Sequence, residues 1–337
     1  MRNAILIVEP DTREQSGDEA SGKSSLTVLA KRVTPLVCAE VLGRSVVERL
    51  IDDLLRTGVE TVRVCGDLCE IERGHPRLQA CTTEEAWTAV REESLTCMEA
   101  SANAVLVVRV SAYVDFDLKN LLQFHREHGK HETRAFDENG PLDMWIVTPA
   151  VLAEGSDLMT ILAATEPVPY LVPGYVNRLE CADDLRRLAV DGLTARCGLR
   201  PQGAESRSGV WMGDDSQVHR NARIVAPAFI GRGVKIAEQC LITRCSNIES
   251  HCQVDYGTVV EDSSILPNSY VGIGLDLSHS IVDGNNLLNL ERGVMLQIAD
   301  PCVIQRNKIS SSDRKFRSPG SIGLGRMQLV QAEEGSH

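Results

Sequence analysis

Residues 17–24, Gly17-Asp18-Glu19-Ala20-Ser21-Gly22-Lys23-Ser24, match the spacing G-x-x-x-x-G-K-S, in which successive backbone amides and a lysine wrap phosphate oxygens. The context departs from a working phosphate loop. The apolar run that precedes it ends at Val8, well before Gly17, and no apolar strand ending in aspartate stands ready as a magnesium partner. The segment reads first as a polar insertion, with an unusual nucleotide-contacting loop as the alternative. His125, His128 and His131 recur at a spacing of three, which puts the first two on one helical face and suits metal binding. Gly129 ends that helix, so His131 leaves the face and a packing or surface role is the simpler reading. The eleven cysteines include no C-x-x-C pair, and Cys65 with Cys69 has no matching pair elsewhere, so structural zinc is not expected.

The element that dominates the chain is a repeat. Val218, Ile224, Ile230, Ile236, Ile242, Ile248, Val254, Val260 and Leu266 place an aliphatic side chain on every sixth position. Two residues before each lies a small or thin side chain: Ser216, Ala222, Ala228, Val234, Cys240, Ser246, Cys252, Thr258 and Ser264. A period of six fits neither a helix nor a simple alternating strand. It is the signature of a hexapeptide β-helix, in which three units close one triangular coil of about eighteen residues. Regularity loosens after Leu266. Val271, Leu277 and Ile281 are suggestive, Asn285 to Arg292 is expected to loop out of a coil, and Ile298 with Ile304 resumes the six-residue step.

The first two hundred residues follow another pattern. Ala4 to Val8, Thr61 to Cys65 and Ala104 to Val110 are short apolar runs of the kind that form buried strands. Ser45 with Glu48, and Thr82 with Glu85, are capping-box pairs that open helices. The first of these helices lines Val46, Val47, Leu50, Ile51, Leu54 and Leu55 along one face and ends at Gly58. Asp117 to His128 is a third helix, Thr133 to Phe136 and Met144 to Val147 are strands, and Pro149 to Ala153 starts a further helix. This alternation predicts an α/β layer fold with a largely parallel sheet over residues 1–200. Pro201 to Gly209 is a compositional break that predicts a linker, residues 210–306 are expected to carry the β-helix, and residues 307–337, with Arg314, Lys315 and Arg317 among serines, to form a polar, flexible tail.

A formal charge of −12 on 337 residues argues against a nucleic-acid surface or an anionic-membrane surface. The apolar start is too short for a signal peptide, and no apolar run reaches the length of a membrane span. A cytoplasmic protein with buried free thiols is the expectation.

An α/β layer followed by a hexapeptide repeat resembles the sugar-1-phosphate nucleotidyltransferases, or NDP-sugar pyrophosphorylases. TPLVCAEVLGRSVVERLIDDLLRTGVETVRVCGD, from Thr34 to Asp67, is similar to the family segment in which a Lys-Pro pair and a Gly-Lys-Pro precede the first long helix. AVLVVRV followed by DLKNLLQFHREHG is similar to its central strand and helix, and GYVNRLECADDLRRLAVDGL, from Gly174 to Leu193, to its G-Y-W-x-D segment. The resemblance implies a Rossmann-type layered domain followed by a left-handed parallel β-helix.

The same alignment removes the family's charges. Its Gly-rich loop is matched only by Thr12 and Arg13, which with Lys23 are the candidate nucleotide contacts. Its lysine falls on Leu36, and its two metal-binding aspartates fall on Val110 and Arg178. Asp115 and Asp117, with Asp143 and Asp67 nearby, are the side chains that could rescue a metal site, or else plain caps and turn residues.

The expectation is therefore a catalytically impaired relative that binds a nucleotide sugar, or regulates or scaffolds, in cell-envelope or exopolysaccharide sugar metabolism. It needs no cofactor. It oligomerises through the β-helix, whose least polar stretch is Ile224 to Ile230 with Val225, Pro227 and Phe229. One alternative is an active pyrophosphorylase with magnesium and relocated catalytic residues. Another is an acyltransferase, since hexapeptide acyltransferases project a histidine base from a coil, and His219, His251 and His279 are available.

Overall fold

The computed structural model describes residues 3–8, 35–66, 77–96, 104–115, 117–128, 131–148, 158, 162 and 166–307. The described residues form one compact unit. The expected tail and the helical start at Pro149 to Ala153 lie outside the described residues.

A seven-stranded sheet carries the first part. Its strands are β1 (Asn3–Val8), β2 (Thr61–Gly66), β3 (Leu78–Cys81), β4 (Val105–Arg109), β5 (Glu132–Asp137), β6 (Gly140–Val147) and β7 (Val168–Leu171). Their spatial order is β7-β5-β6-β4-β1-β2-β3. All neighbours run parallel except those of β6, which is antiparallel to both β4 and β5. The fold is thus mixed α/β, as the alternation predicts, with β6 as the one reversed strand, because it follows β5 through a tight turn at Glu138–Asn139 instead of a helical crossover.

Helix α1 (Val46–Arg56) starts where the capping box demands. The Glu48 N–H donates to Ser45 Oγ, and the Ser45 N–H donates back to Glu48 Oε2 at 2.8 Å. Its face buries Val46, Val47, Ile51 and Leu54. The same reciprocal pair, Thr82 with Glu85, opens α2 (Thr83–Thr96). Helices α3 (Leu118–His128) and α4 (Ala182–Leu193) complete the set of longer helices among the described residues.

From Val210 the chain visits three sheets in turn. Gln217 pairs with Lys235, Arg223 with Leu241 and Phe229 with Asn247, each parallel and eighteen residues apart. The aliphatic series from Ile224 to Val260 is buried between these sheets together with Val234, Cys240 and Cys252. Beyond Val260 the return shortens to seventeen: Asn247 pairs with Ser264, Gln253 with Tyr270 and Val259 with Asp276. One residue has dropped out of the turn around Asp262, whose φ of 44° tightens the corner.

That shortening overturns the end of both series. Ile265 takes the interior place expected for Leu266, and the buried Ser263 takes the thin-residue place expected for Ser264. Leu266 and Ile281 instead join the core of the α/β part, while Val282 points inward. The stretch Asn285 to Arg292 is no loose loop either. Asn286–Asn289 is a strand that pairs antiparallel with Ser280–Asp283 and with Val294–Gln297. Ile304 does not extend the repeat; Ile304–Arg306 runs antiparallel against Ser269–Val271 and closes that sheet. Residues 201–209, expected as a linker, contain Ala204–Arg207, a strand paired to Val210–Met212.

The sheet holding Phe229, Asn247 and Ser264 docks on the α/β part. Phe229 is fully buried, so the apolar stretch expected to mediate association is in part internal packing. Its ring lies over Gly43, where a Cβ would stand 3.1 Å from Phe229 Cζ and 2.8 Å from Gln202 Cβ; at φ +90° the backbone there also favours glycine. Beside it the fully buried Glu249 accepts the N–H groups of Leu42 and Gly43, each at 2.9 Å, and the Asn247 amide at 2.7 Å. Burial pushes the Glu249 carboxyl up in pKa, against the pull of these three donors.

Replacing Glu249 with Gln puts an amide NH2 among N–H donors. The loss expected is about 2 kcal/mol of unfolding free energy, the cost of a buried group left unmatched, read as a lower urea midpoint with an unchanged slope.

Candidate functional site

The parallel strands β1, β2 and β4 end together at Val8, Gly66 and Arg109, and in open α/β sheets ligands gather at such carboxyl ends. The chain leaving β4 stays on this edge, with the Val110 N–H donating to Ile7 O at 2.8 Å. A short ribbon follows, in which Tyr113–Val114 pairs antiparallel with Val176–Asn177. It brings the chain just after Val110 alongside the chain just before Arg178. The two positions at which the family resemblance implies metal-binding aspartates are therefore neighbours in the topology.

Neither can ligate a cation. Val110 is 5% exposed and Leu36 9% exposed, both within the hydrophobic core. Arg178 is committed elsewhere: its Nη2 and Nε donate to Asp137 Oδ1 and Oδ2 at 2.6 and 3.0 Å, and Nη2 also reaches the carbonyls of Gly140 and Pro141. This fork holds the Asp137 carboxyl below the usual carboxylate range. An aliphatic side chain and a paired guanidinium do not fit a divalent ion, so these positions support no metal-assisted step.

The candidate rescue carboxylates are spread out. Asp115 Oδ2 accepts the Gly198 N–H at 2.5 Å, with Gly198 so close that a Cβ there would stand 2.6 Å from the carboxylate. Asp117 sits before α3 and accepts the Lys119 N–H at 2.9 Å. Asp143 pairs with Arg134 at 3.3 Å. Among the described residues no group of three or more His, Cys, Asp and Glu converges as a metal-ligand set. Thr12, Arg13, Lys23, the whole Gly17–Ser24 segment and Asp67 lie outside the described residues. His125 is buried with Nδ1 2.8 Å from Thr133 Oγ1, and burial lowers its pKa. His128 stacks on Phe124 at 4.7 Å between centroids, whereas His131 is exposed and offers its backbone carbonyl to Thr148.

A second site lies where α4 meets the repeat. A cleft of about 330 Å³ is lined by Asp183, Arg186, Arg187, Asp262, His279 and Glu291, with Leu290 at its side. His279 Nδ1 is 2.6 Å from Asp262 Oδ2, and the other carboxylate oxygen, Oδ1, accepts from Arg186 Nη2 at 2.8 Å. Arg186 is buried, and its guanidinium also reaches Asn247 Oδ1 and the carbonyl of Cys245. A guanidinium thus orients a carboxylate that orients an imidazole. Such a chain can present a ring nitrogen to a cleft for proton transfer. The other two repeat histidines lie away from this cleft: His219 is exposed and accepts the Asn221 N–H at 3.2 Å, and His251 sits at φ +57° with its ring against Gly233.

The sequence supplies His279 as a candidate but not Asp262 or Arg186. The signal that would have found Asp262 is the return distance, since seventeen residues separate the two and the shortened turns place them side by side. Arg186 lies within the segment that resembles the family, yet nothing in its local pattern marks it as facing the repeat. No protein-family model matches this chain, and no curated protein matches it either.

Removing the fork tests its role. Arg178→Met is expected to lower stability by about 1.5–3 kcal/mol at neutral pH, the range for hydrogen bonds to a charged group. Because the folded pKa of Asp137 is depressed, that contribution is complete above the unfolded value near 4 and fades as pH falls through the folded value. Wild-type and variant denaturation midpoints measured from about pH 7 down to about pH 2 should converge at the acid end.

Proposed function

We propose that this chain is a nucleotidyltransferase-like protein that has lost nucleotidyl transfer and serves as a nucleotide-sugar-binding, regulatory or scaffolding subunit in cell-envelope or exopolysaccharide sugar metabolism. On this reading the seven-stranded sheet is a Rossmann-type layered domain and the three repeat sheets close as a left-handed parallel β-helix. The eighteen-residue return of three parallel sheets supports the second part of that reading. The observation that carries the functional part is Arg178, a cation locked onto Asp137 where the resemblance implies a metal-binding carboxylate. With Val110 and Leu36 buried at the other two charged positions, the transferring phosphate would meet neither its cation nor its metal.

Purified protein incubated with magnesium, each nucleoside triphosphate and a panel of sugar 1-phosphates is expected to release no pyrophosphate, while one or more nucleotide sugars raise its melting temperature. Pyrophosphate release with pure material would establish the active alternative, with catalytic residues drawn from Asp11 to Lys23 and from Asp115 or Asp117.

The His279–Asp262 pair at the cleft supports one further reading, acyl transfer by a histidine base. Its test is separate. Release of free coenzyme A from acetyl-coenzyme A in the presence of an amino-sugar nucleotide, lost in His279→Ala, would replace the binding role with this one.

A further inference from the structure

The edge of the main sheet carries a pair of thiols that neither candidate site uses. Cys65 and Cys81 are the last register pair of β2 and β3, directly opposite each other on neighbouring parallel strands. Adjacent strands lie about 4.8 Å apart, inside the Cα separation that a disulfide spans. Both side chains are on the same face of the sheet, where Cys65 is buried in the second α/β core cluster and Cys81 packs against it partly exposed. The two thiols are near enough to act on each other, each being among the groups that move the other's ionisation. Cys65 Sγ also lies 3.6 Å from Thr82 O. β3 is four residues long and is the edge strand of the described sheet, so it can shift toward β2 without disturbing the centre of the sheet.

We propose that Cys65 and Cys81 form a dithiol site that low-molecular-weight disulfides oxidise to a cross-strand disulfide. The roles follow from exposure. Burial pushes the Cys65 thiol up to about 12, so it stays protonated; burial raises the Cys81 thiol too, but Cys81 is the partly exposed one of the pair and so the sulfur that an incoming disulfide can reach. Cys81 attacks one sulfur of the incoming disulfide and expels the other half as a thiolate. Cys65 then attacks the Cys81 sulfur of the mixed disulfide, and its proton passes to the second departing thiolate. Two protein thiols lose two electrons and two protons, and one small disulfide becomes two thiols.

The experiment uses the full chain in a Cys302→Ser background, since Cys302 is the exposed cysteine among those described. Oxidised glutathione is the probe, followed by alkylation and a non-reducing peptide map. The expected result is a Cys65–Cys81-linked peptide with the loss of two free thiols per chain, reversed by dithiothreitol. Cys65→Ser should stop at a glutathione adduct on Cys81, and Cys81→Ser should leave Cys65 free. Recovery of both cysteines as alkylated thiols after oxidation overturns the proposal, as does a bond from either one to Cys69. The map of the Cys302→Ser protein decides the matter even where Cys65→Ser fails to fold.

Discussion

Everything else in this molecule depends on how one outward face of the repeat is seated on the α/β part. A hexapeptide repeat normally fills its inside with aliphatic side chains and leaves its outside to solvent. Here the sheet that carries Phe229, Asn247, Ser264 and Ile281 has apolar residues on both sides. The outward set, Phe229, Leu266, Ile281 and Leu288, shares a single core with residues of the α/β part such as Leu42, Leu185 and Leu199. Hydrophobic burial alone would let the two surfaces slide, because it has no direction. Two buried charges remove that freedom. Glu249 reaches out of the repeat to the amides of Leu42 and Gly43, and Arg186 reaches out of α4 to Asn247, Ser264 and Asp262. Each is costly to bury and each is fully engaged, so the docked register is the one in which both find their partners.

The change of return distance from eighteen to seventeen serves the same contact. Interior packing needs only that an aliphatic side chain recur in each sheet, and Ile265, Val271, Leu277 and Val282 meet that need as well as their predecessors do. What the missing residue alters is the outside. The thin side chains beneath the corners show why the interior tolerates the change. Cys240, Ser246, Cys252, Thr258 and Ser263 each contact a backbone carbonyl in the following turn, at distances from 2.6 to 3.4 Å. From Cys240 onward the position carries side chains that are both thin and able to donate, and Ser263 keeps that bond after the step shortens. A corner held by a local donor can move by one residue as long as the donor moves with it.

These two points mark what the sequence can and cannot reveal. The helix starts were legible because a capping box is a contact between residues three apart, and both Ser45–Glu48 and Thr82–Glu85 form as their spacing implies. The repeat was legible up to Val260 because its period is set by nearest-neighbour stacking. Its end was not, since Leu266 and Ile265 are both aliphatic, as are Ile281 and Val282, and periodicity cannot choose between adjacent apolar residues. Long-range pairings leave no local trace at all. Glu249 and Leu42 lie 207 residues apart, Arg186 and Asp262 76 apart. The Asp137 that captures Arg178 ends β5, 41 residues before it, and nothing local to either residue marks the pair.

On the proposed reading, that capture shows how an α/β layer can persist without the charges of a phosphate-transfer site. Losing a carboxylate from a cluster that binds a metal leaves the remaining carboxylates repelling one another, and losing only the cation leaves a pocket that still attracts metal. On that reading, an aliphatic at one position and an arginine at the other avoid both outcomes. Val110 goes into the core, where burying its side chain contributes roughly 1.5–3 kcal/mol. Arg178 finds a carboxylate that is 9% exposed and two carbonyls, so its charge is paired within the fold. An anionic ligand approaching that edge must therefore compete with Asp137 for the guanidinium. On the proposed reading, this competition places recognition of a nucleotide sugar on neutral donors and apolar contacts more than on charge.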